Sequence, residues 1–243
     1  MGVYFETYGT FIKTVVKAIE NINEECIFNF DSSGLHIKIS DVYKYKMLEL
    51  KIDKDDLKEY HCDNPIELGV VLDRIKDVTK TLKAKDTMSF THESGGSNLI
   101  LKAGGLSRSV KLIDTNMIGK VPSLIGAEKE LSDGYSTTIN TKSLKTFLRA
   151  ASNAISFDVA TDKDYLHLTS ESDEGIIEIN WEDSPISPTG YSSKTNYSVV
   201  ETTKAISTLG DAAKIRGCQG GVWEIKWELG NHSYIRAMVA PRV

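Results

Sequence analysis

The sequence predicts an α+β fold of two similar domains built from duplicated β-α-β-β-β units, and three observations carry this. First, Ile12 to Asn21 reads IKTVVKAIEN and Leu144 to Asn153 reads LKTFLRAASN. Lysine, threonine, a basic residue, alanine and asparagine return in the same order in the second half of the chain. Second, the segments after the two copies are alike. Cys26–Ser40 (CIFNFDSSGLHIKIS) and Phe157–Ser170 (FDVATDKDYLHLTS) are each two short alternating runs around an Asp-containing polar turn, the pattern of a hairpin. Third, short strand-like runs outnumber helices, which argues for large antiparallel sheets over a parallel βαβ fold.

The spacing predicts a first helix over Gly9–Ile22, where Ile12, Val15, Val16 and Ile19 form one apolar stripe and Lys17 points away from it. After the first hairpin come a strand at Met47–Ile52 and a second helix at Leu72–Lys83, with Lys80 in the same phase as Lys17. Asp73 and Asp77 share the Lys80 face. The run Ser107–Ile113 (SRSVKLI) alternates as a strand. From Asn116 to Ser132, a stretch carrying Pro122, there is no clear period, and it reads as a linker. The expected division is therefore a first domain over 1–115, a linker over 116–132 and a second domain over 133–243. In the second half, Thr141–Ala154 carries the stripe Leu144, Phe147, Leu148 and Ala151 with Arg149 opposite. Ile176–Trp181 reads as a strand and Val199–Leu209 as the fourth helix, bearing Lys204.

Charge is segregated onto those helices. Over the four predicted ranges there are ten Lys or Arg and four Asp or Glu, a total of +6 in a chain of net charge −5, so the remainder carries −11. Lys13 and Lys145 flank the cationic face one turn earlier, and Lys142 joins them. One such helix alone is usually a solvated face; four in one phase point to a polyanion held through its phosphates. Aromatic residues that would stack on single-stranded bases are absent from these faces, so the expected ligand is double-stranded DNA touched without sequence reading.

Other chemistry finds no support. His61 and Cys62 are adjacent and point to opposite faces of a strand, so they cannot chelate together. His36 and His167 occupy equivalent positions of the two hairpins and read as surface or satisfied histidines. The paired glycines lack the Lys-Ser/Thr of a phosphate loop, no Gly-x-Ser-x-Gly elbow occurs, and no carboxylate pair stands out. Trp181, Trp223 and Trp227 lie on strands and read as packing. The expectation is a chain with no active site, metal or cofactor. No run of about 18 apolar residues occurs, the segment MGVYFETYGT lacks the features of a signal peptide, and three scattered cysteines fit reduced thiols, so no membrane partner is expected.

From end to end the chain resembles the proliferating cell nuclear antigen family of DNA sliding clamps. The matching pieces are NEECIFNFDSSGL, LKEYHCD, LGVVLDRI, KLID and the closing Ala240-Pro241-Arg242-Val243, in order and spacing. The resemblance implies the DNA clamp fold: two similar domains per subunit and a closed homotrimer ring with inner helices and outer sheets. It also implies a processivity factor that tethers DNA polymerase, clamp loader, flap nuclease and ligase through short peptides. The alternative is a clamp-like paralogue acting as one subunit of a heterotrimeric or checkpoint-type clamp. An ending without an acidic tail is similar to archaeal or viral members, which implies a cytoplasmic, nucleoid-associated location; a eukaryotic member would be nuclear.

Carried over by position, the DNA-binding set is Lys13, Lys17, Lys80, Lys142, Lys145, Arg149 and Lys204. The peptide pocket is Met47, Ile118, Val121, Pro122, Leu124, Val222, Ala240 and Pro241. This chain departs from the family there: Lys44 and Tyr45 sit beside the pocket, Val222 replaces a usual proline, and Met238 stands where many members carry an aromatic. For the ring contact, Arg108 and Lys111 make one strand cationic, while Glu174, Glu178 and Glu182 make EGIIEINWE anionic, with Ile177 between them. Unpaired edges of opposite charge in different domains can join head to tail and close a ring.

Overall fold

The computed structural model describes residues 2–162 and 164–242. Met1, Lys163 and Val243 lie outside the described residues. The chain divides into two compact units, one of Met1–Val42, Leu48–Val121 and Leu229–Ile235, the other of Tyr43–Met47, Pro122–Glu228 and Arg236–Val243.

In the first half the order is β1 (Val3–Tyr8), α1 (Gly9–Glu20), β2 (Glu25–Asp31), β3 (Gly34–Ser40), β4 (Lys46–Asp53), β5 (Glu59–Cys62), β6 (Ile66–Val71), α2 (Leu72–Thr81), β7 (Thr87–His92), β8 (Asn98–Ala103) and β9 (Leu106–Lys111). One antiparallel sheet runs β5-β1-β7-β8-β9, and β2 lies between β3 and β6 in another. The second half runs α3 (Ile125–Ser132), β10 (Tyr135–Asn140), α4 (Thr141–Ala150), β11 (Ser156–Ala160), β12 (Tyr165–Ser172), β13 (Gly175–Pro185), β14 (Lys194–Ser198), α5 (Val199–Ala205), β15 (Ala212–Gly217), β16 (Trp223–Glu228) and β17 (Tyr234–Val239). Its sheets run β13-β12-β11-β14 and β10-β15-β16-β17. Among the described residues the expected β-α-β-β-β unit thus recurs four times, beginning at β1, β6, β10 and β14, with β5 and α3 outside it.

Burial follows the predicted stripes. Ile12, Val15, Val16 and Ile19 are buried on α1, and Leu144, Phe147, Leu148 and Ala151 at the equivalent places of α4. In the first unit Phe5 stacks on Phe90 with ring centroids 4.2 Å apart. In the second, Phe157 meets Phe147 at 5.6 Å and Trp223 at 5.7 Å. All three tryptophans are buried, as expected of packing residues.

The helix starts also repeat. Gly9 N donates to Asp86 O at 2.7 Å, and Thr141 N donates to Asp211 O at 2.9 Å. A Cβ at Gly9 would stand 2.6 Å from Lys83 O, so only glycine fits that approach. Thr141 turns its hydroxyl onto Gly210 O instead. Asn140 caps α4, its side-chain oxygen accepting from Lys142 N at 2.9 Å.

Two expectations need correction. The helices are shorter than their apolar periods: α1 stops at Glu20, α2 at Thr81 and α5 at Ala205, and α4 closes in a 3-10 turn over Ala151–Asn153. Leu82, for example, leaves helical geometry with ψ 141°. The second concerns the segment expected to lack regular structure, which contains helix α3. It buries only Leu131, so no apolar period marks it; ion pairs from Glu128 to Arg216 and Arg236 hold it instead.

Candidate nucleic-acid interface

Lys17, Lys80, Lys142, Arg149 and Lys204 are all exposed on their helices. Lys17, Lys80 and Arg149 are each the ninth residue of α1, α2 and α4. Near a helix C-terminus a cation is favoured by the helix dipole, so these positions cost the fold little. Among the described residues, no carboxylate pairs with Lys17, Lys142 or Arg149. Lys80 lies 3.8 Å from Asp77, and Lys204 lies 3.9 Å from Glu201.

Lys13 and Lys145 behave differently from the expectation. The Lys13 ammonium donates to Leu82 O, the carbonyl at the end of α2. Lys145 donates to Gly210 O at 3.1 Å, just beyond α5. Each is half-buried and satisfies a carbonyl after the neighbouring helix. Both equivalent lysines therefore fasten helix pairs, and their spacing alone could not show it, because the acceptors are backbone atoms 65 and 69 residues away.

Between α4 and α5 lies a groove of about 620 Å³. Lys145, Arg149 and Lys204 rim it, and Leu148, Val200 and Leu209 contribute an apolar floor. The α1 and α2 faces in the first unit are less cationic. Asp77 takes both Lys80 and Arg108, the latter at 3.1 Å, and Lys76 pairs with Glu20 at 2.5 Å.

The residues expected at the peptide pocket fall in both units: Ile118 and Val121 in the first, and Met47, Pro122, Leu124, Val222, Ala240 and Pro241 in the second. Within the second unit, a cleft of about 480 Å³ is lined by Tyr45, Ser198, Glu201, Ala240, Pro241 and Arg242. Ala240 N donates to Tyr45 O at 2.8 Å, and Arg242 N to Asn196 O at 2.8 Å, which fixes the final segment. Met47 and Met238 are buried, and Tyr43 stacks on Tyr45 at 5.8 Å with both rings exposed. In the first unit, Ile118 and Val121 instead line a cleft of about 420 Å³ with residues of β2 and β3.

The two expected ring edges are real edges of their sheets, β9 in the first unit and β13 in the second. Their side chains divide in a way the one-dimensional pattern hid. Arg108 pairs across the ladder with Leu101 and reaches Asp77 of α2, whereas Lys111 pairs with Asn98 and faces the other side. Residues three apart on a strand cannot share a face, so Arg108 is engaged within its own chain. On β13, Glu178 and Glu182 are exposed and Ile177 is half-buried; Glu174, in the preceding turn, accepts from Asn153 at 3.4 Å.

Residues 4–117 match the description "Proliferating cell nuclear antigen, N-terminal domain". The DNA polymerase sliding clamp of Archaeoglobus fulgidus is 34% identical over 114 residues, 47% of this chain and 46% of that protein. The Thermoplasma acidophilum clamp is 25% identical over 173 residues, 68% and 67% of the two chains. These matches span about half to two-thirds of the curated relatives' length. Among solved structures, A. fulgidus PCNA bound to the C-terminal region of FEN-1 superposes with a TM-score of 0.88 at 24% identity, over 99% of this chain and 98% of that one. PCNA of Thermococcus kodakaraensis gives 0.84 at 17% identity, over 99% and 100%. Residues 4–117 thus carry a proliferating cell nuclear antigen N-terminal domain, and the whole chain has the fold of these solved PCNA structures.

The largest feature that sequence reading missed is an ion network in the second unit. Arg216 binds Glu224 through two bonds, of 2.6 and 2.7 Å, and Glu128 at 3.0 Å; Arg236 binds both glutamates as well. Glu224 is 1% exposed and Arg236 8%. The hydrogen bonds that Arg216 donates to Glu224 push its guanidinium pKa above the usual value. Burial works to raise the Glu128 carboxyl, but Arg216 and Arg236 outweigh it and hold it below the ordinary carboxylate value. The network pins α3 to the sheet that carries Arg216, Glu224 and Arg236. Only the cross-strand pairing of Arg216 with Glu224 could have signalled it, and that requires the register.

Proposed function

We propose that this chain is a DNA sliding clamp: copies close into a homotrimeric ring whose helices hold duplex DNA by its backbone, and whose outer surface tethers replication and repair enzymes. The observation that carries it is the exposed cation at one phase of all four helices, one in each β-α-β-β-β unit. Lysines and arginines that neutralise phosphates give affinity indifferent to base sequence. Contacts that are each weak and interchangeable allow the ring to move. We place its domains at 1–115 and 133–243, joined by 116–132, with a location beside the DNA inside the cell. The chain supplies tethering, not catalysis, and needs no cofactor.

Light scattering on the purified chain tests the ring. The expected mass is three times the 26.9 kDa of one chain; a single-chain mass at micromolar concentration would favour the heterotrimeric paralogue. With β9 and β13 as the joined edges, Lys111→Glu combined with Ile177→Glu adds negative charge along the β9–β13 contact and lowers the mass to one chain. An unchanged mass for that variant contradicts the edge placement.

The second-unit cleft, with Ala240 and Pro241 in its wall, is the proposed seat for the peptides of DNA polymerase, clamp loader, flap nuclease and ligase. An apolar anchor needs a dry wall, and an unpaired charge there is costly. Pro241→Glu should weaken a polymerase peptide by about 2 kcal/mol or more and leave the ring mass intact. Polymerase stimulation at the wild-type level in that variant would place the peptides elsewhere.

A further inference from the structure

Helix α5 is flanked by the two proposed sites, and one carboxylate touches both. Glu201 lines the cleft with Tyr45, Ala240, Pro241 and Arg242. Its Oε2 pairs with the Lys46 ammonium, at the start of β4 next to Tyr45, and its Oε1 lies 3.9 Å from the Lys204 ammonium on the groove side. The three side chains form a graded series: Lys46 is 6% exposed, Glu201 21% and Lys204 50%. The pairing is therefore unequal. Lys46 is in close contact with Glu201, while Lys204 sits at the outer limit of ion-pair distance with half its surface in water.

We infer that Lys46 is a positioning residue for the DNA contact: by holding Glu201, it leaves Lys204 available to a phosphate. This rests on the reading of Lys204 as a DNA-facing cation. The physical reason is competition for one carboxylate. A glutamate one turn before a lysine on a helix attracts it and, left without another cation, closes on it. With Lys46 on Oε2, most of that charge is already compensated in a site of low water content, where opposite charges interact more strongly than at the surface. Lys204 then gives up little when it turns to a phosphate. Lys46 lies outside every helix, so nothing in a helical charge pattern would place it in DNA binding.

The test is a variant cycle read by affinity for a short DNA duplex against salt concentration. Lys204→Ala should lower affinity by roughly two- to fivefold, the range of one exposed ion contact, and reduce the slope of log affinity against log salt by about 0.9. Lys46→Met should reproduce both effects, because Glu201 then closes on Lys204. Lys46→Met with Lys204→Ala should bind no more weakly than Lys204→Ala alone. Lys46→Met with Glu201→Gln should restore wild-type affinity and slope; this pair also removes both charges together, so a folding loss in Lys46→Met does not hide the outcome. Normal binding by Lys46→Met, or no restoration by Glu201→Gln, overturns the inference while the clamp reading stands. If Lys204→Ala itself changes nothing, the assignment of Lys204 to DNA fails first.

Discussion

With Lys17, Lys80, Arg149 and Lys204 all replaced by alanine, the clamp is expected to lose nearly all retention on circular duplex DNA. Each cation contributes a weak contact, and the losses accumulate. The slope of log affinity against log salt should fall by about 0.9 for each phosphate contact removed, and equally for every sequence tested. The melting temperature should move by no more than about 2 °C, since exposed substitutions away from packing cost little. The reason is visible in the burial: these side chains stand opposite the stripes formed by Ile12, Val15, Leu144 and Phe147. A parallel set outside α1, α2, α4 and α5, namely Lys51, Lys54 and Lys226, should bind as wild type. Equal losses from both sets would make the shared helical phase a coincidence.

Glu224→Ala should have the largest effect on stability. It removes the buried acceptor of both Arg216 and Arg236, leaving cations near a site only 1% exposed. Breaking such a network costs roughly 3–5 kcal/mol, a fall of roughly 6–20 °C in a chain of this size. Glu128→Gln should cost much less, because its side chain is 42% exposed and water screens the pair. The two should also differ in what they release: Glu128→Gln frees α3, so trypsin should cut at Lys129 before the rest of the fold melts. Glu128 sets the pH dependence as well. Its folded pKa is lowered from 4.5, so its contribution is present above that value and is lost as the pH falls through the folded one. Melting curves between pH 5 and pH 3, as an order-of-magnitude window, should show a steeper loss for wild type than for Glu128→Gln. A Glu224→Ala protein that melts with wild type would mean the network adds nothing.

Much of this fold is written in local periodicity. The stripes of α1 and α4, the hairpins of β2–β3 and β11–β12, and the edge runs β9 and β13 are patterns of neighbours in sequence, and neighbours in sequence are what a single chain displays. Helix α3 was not legible because its stability comes from Glu128 meeting Arg216 and Arg236, residues 88 and 108 positions away. The same limit applies at the sites. Lys17 and Arg149 could be recognised as outward-pointing from their helical phase. The engagement of Lys13 and Lys145 with backbone carbonyls, and of Arg108 with Asp77, depends on which elements pack together. Charge segregation pointed to the faces; tertiary contacts decided which of their cations remain free.

The most direct test of a closed ring that slides is to change only the topology of the DNA. The chain is loaded by a clamp loader with ATP onto a nicked circular duplex, and the amount retained is measured before and after one restriction cut. A sliding ring should stay on the circle and be lost rapidly once the DNA is linear, with retention recovered when the ends are blocked by bulky proteins. Retention that survives the cut with free ends would show a chain that grips DNA instead of encircling it, and would contradict the clamp.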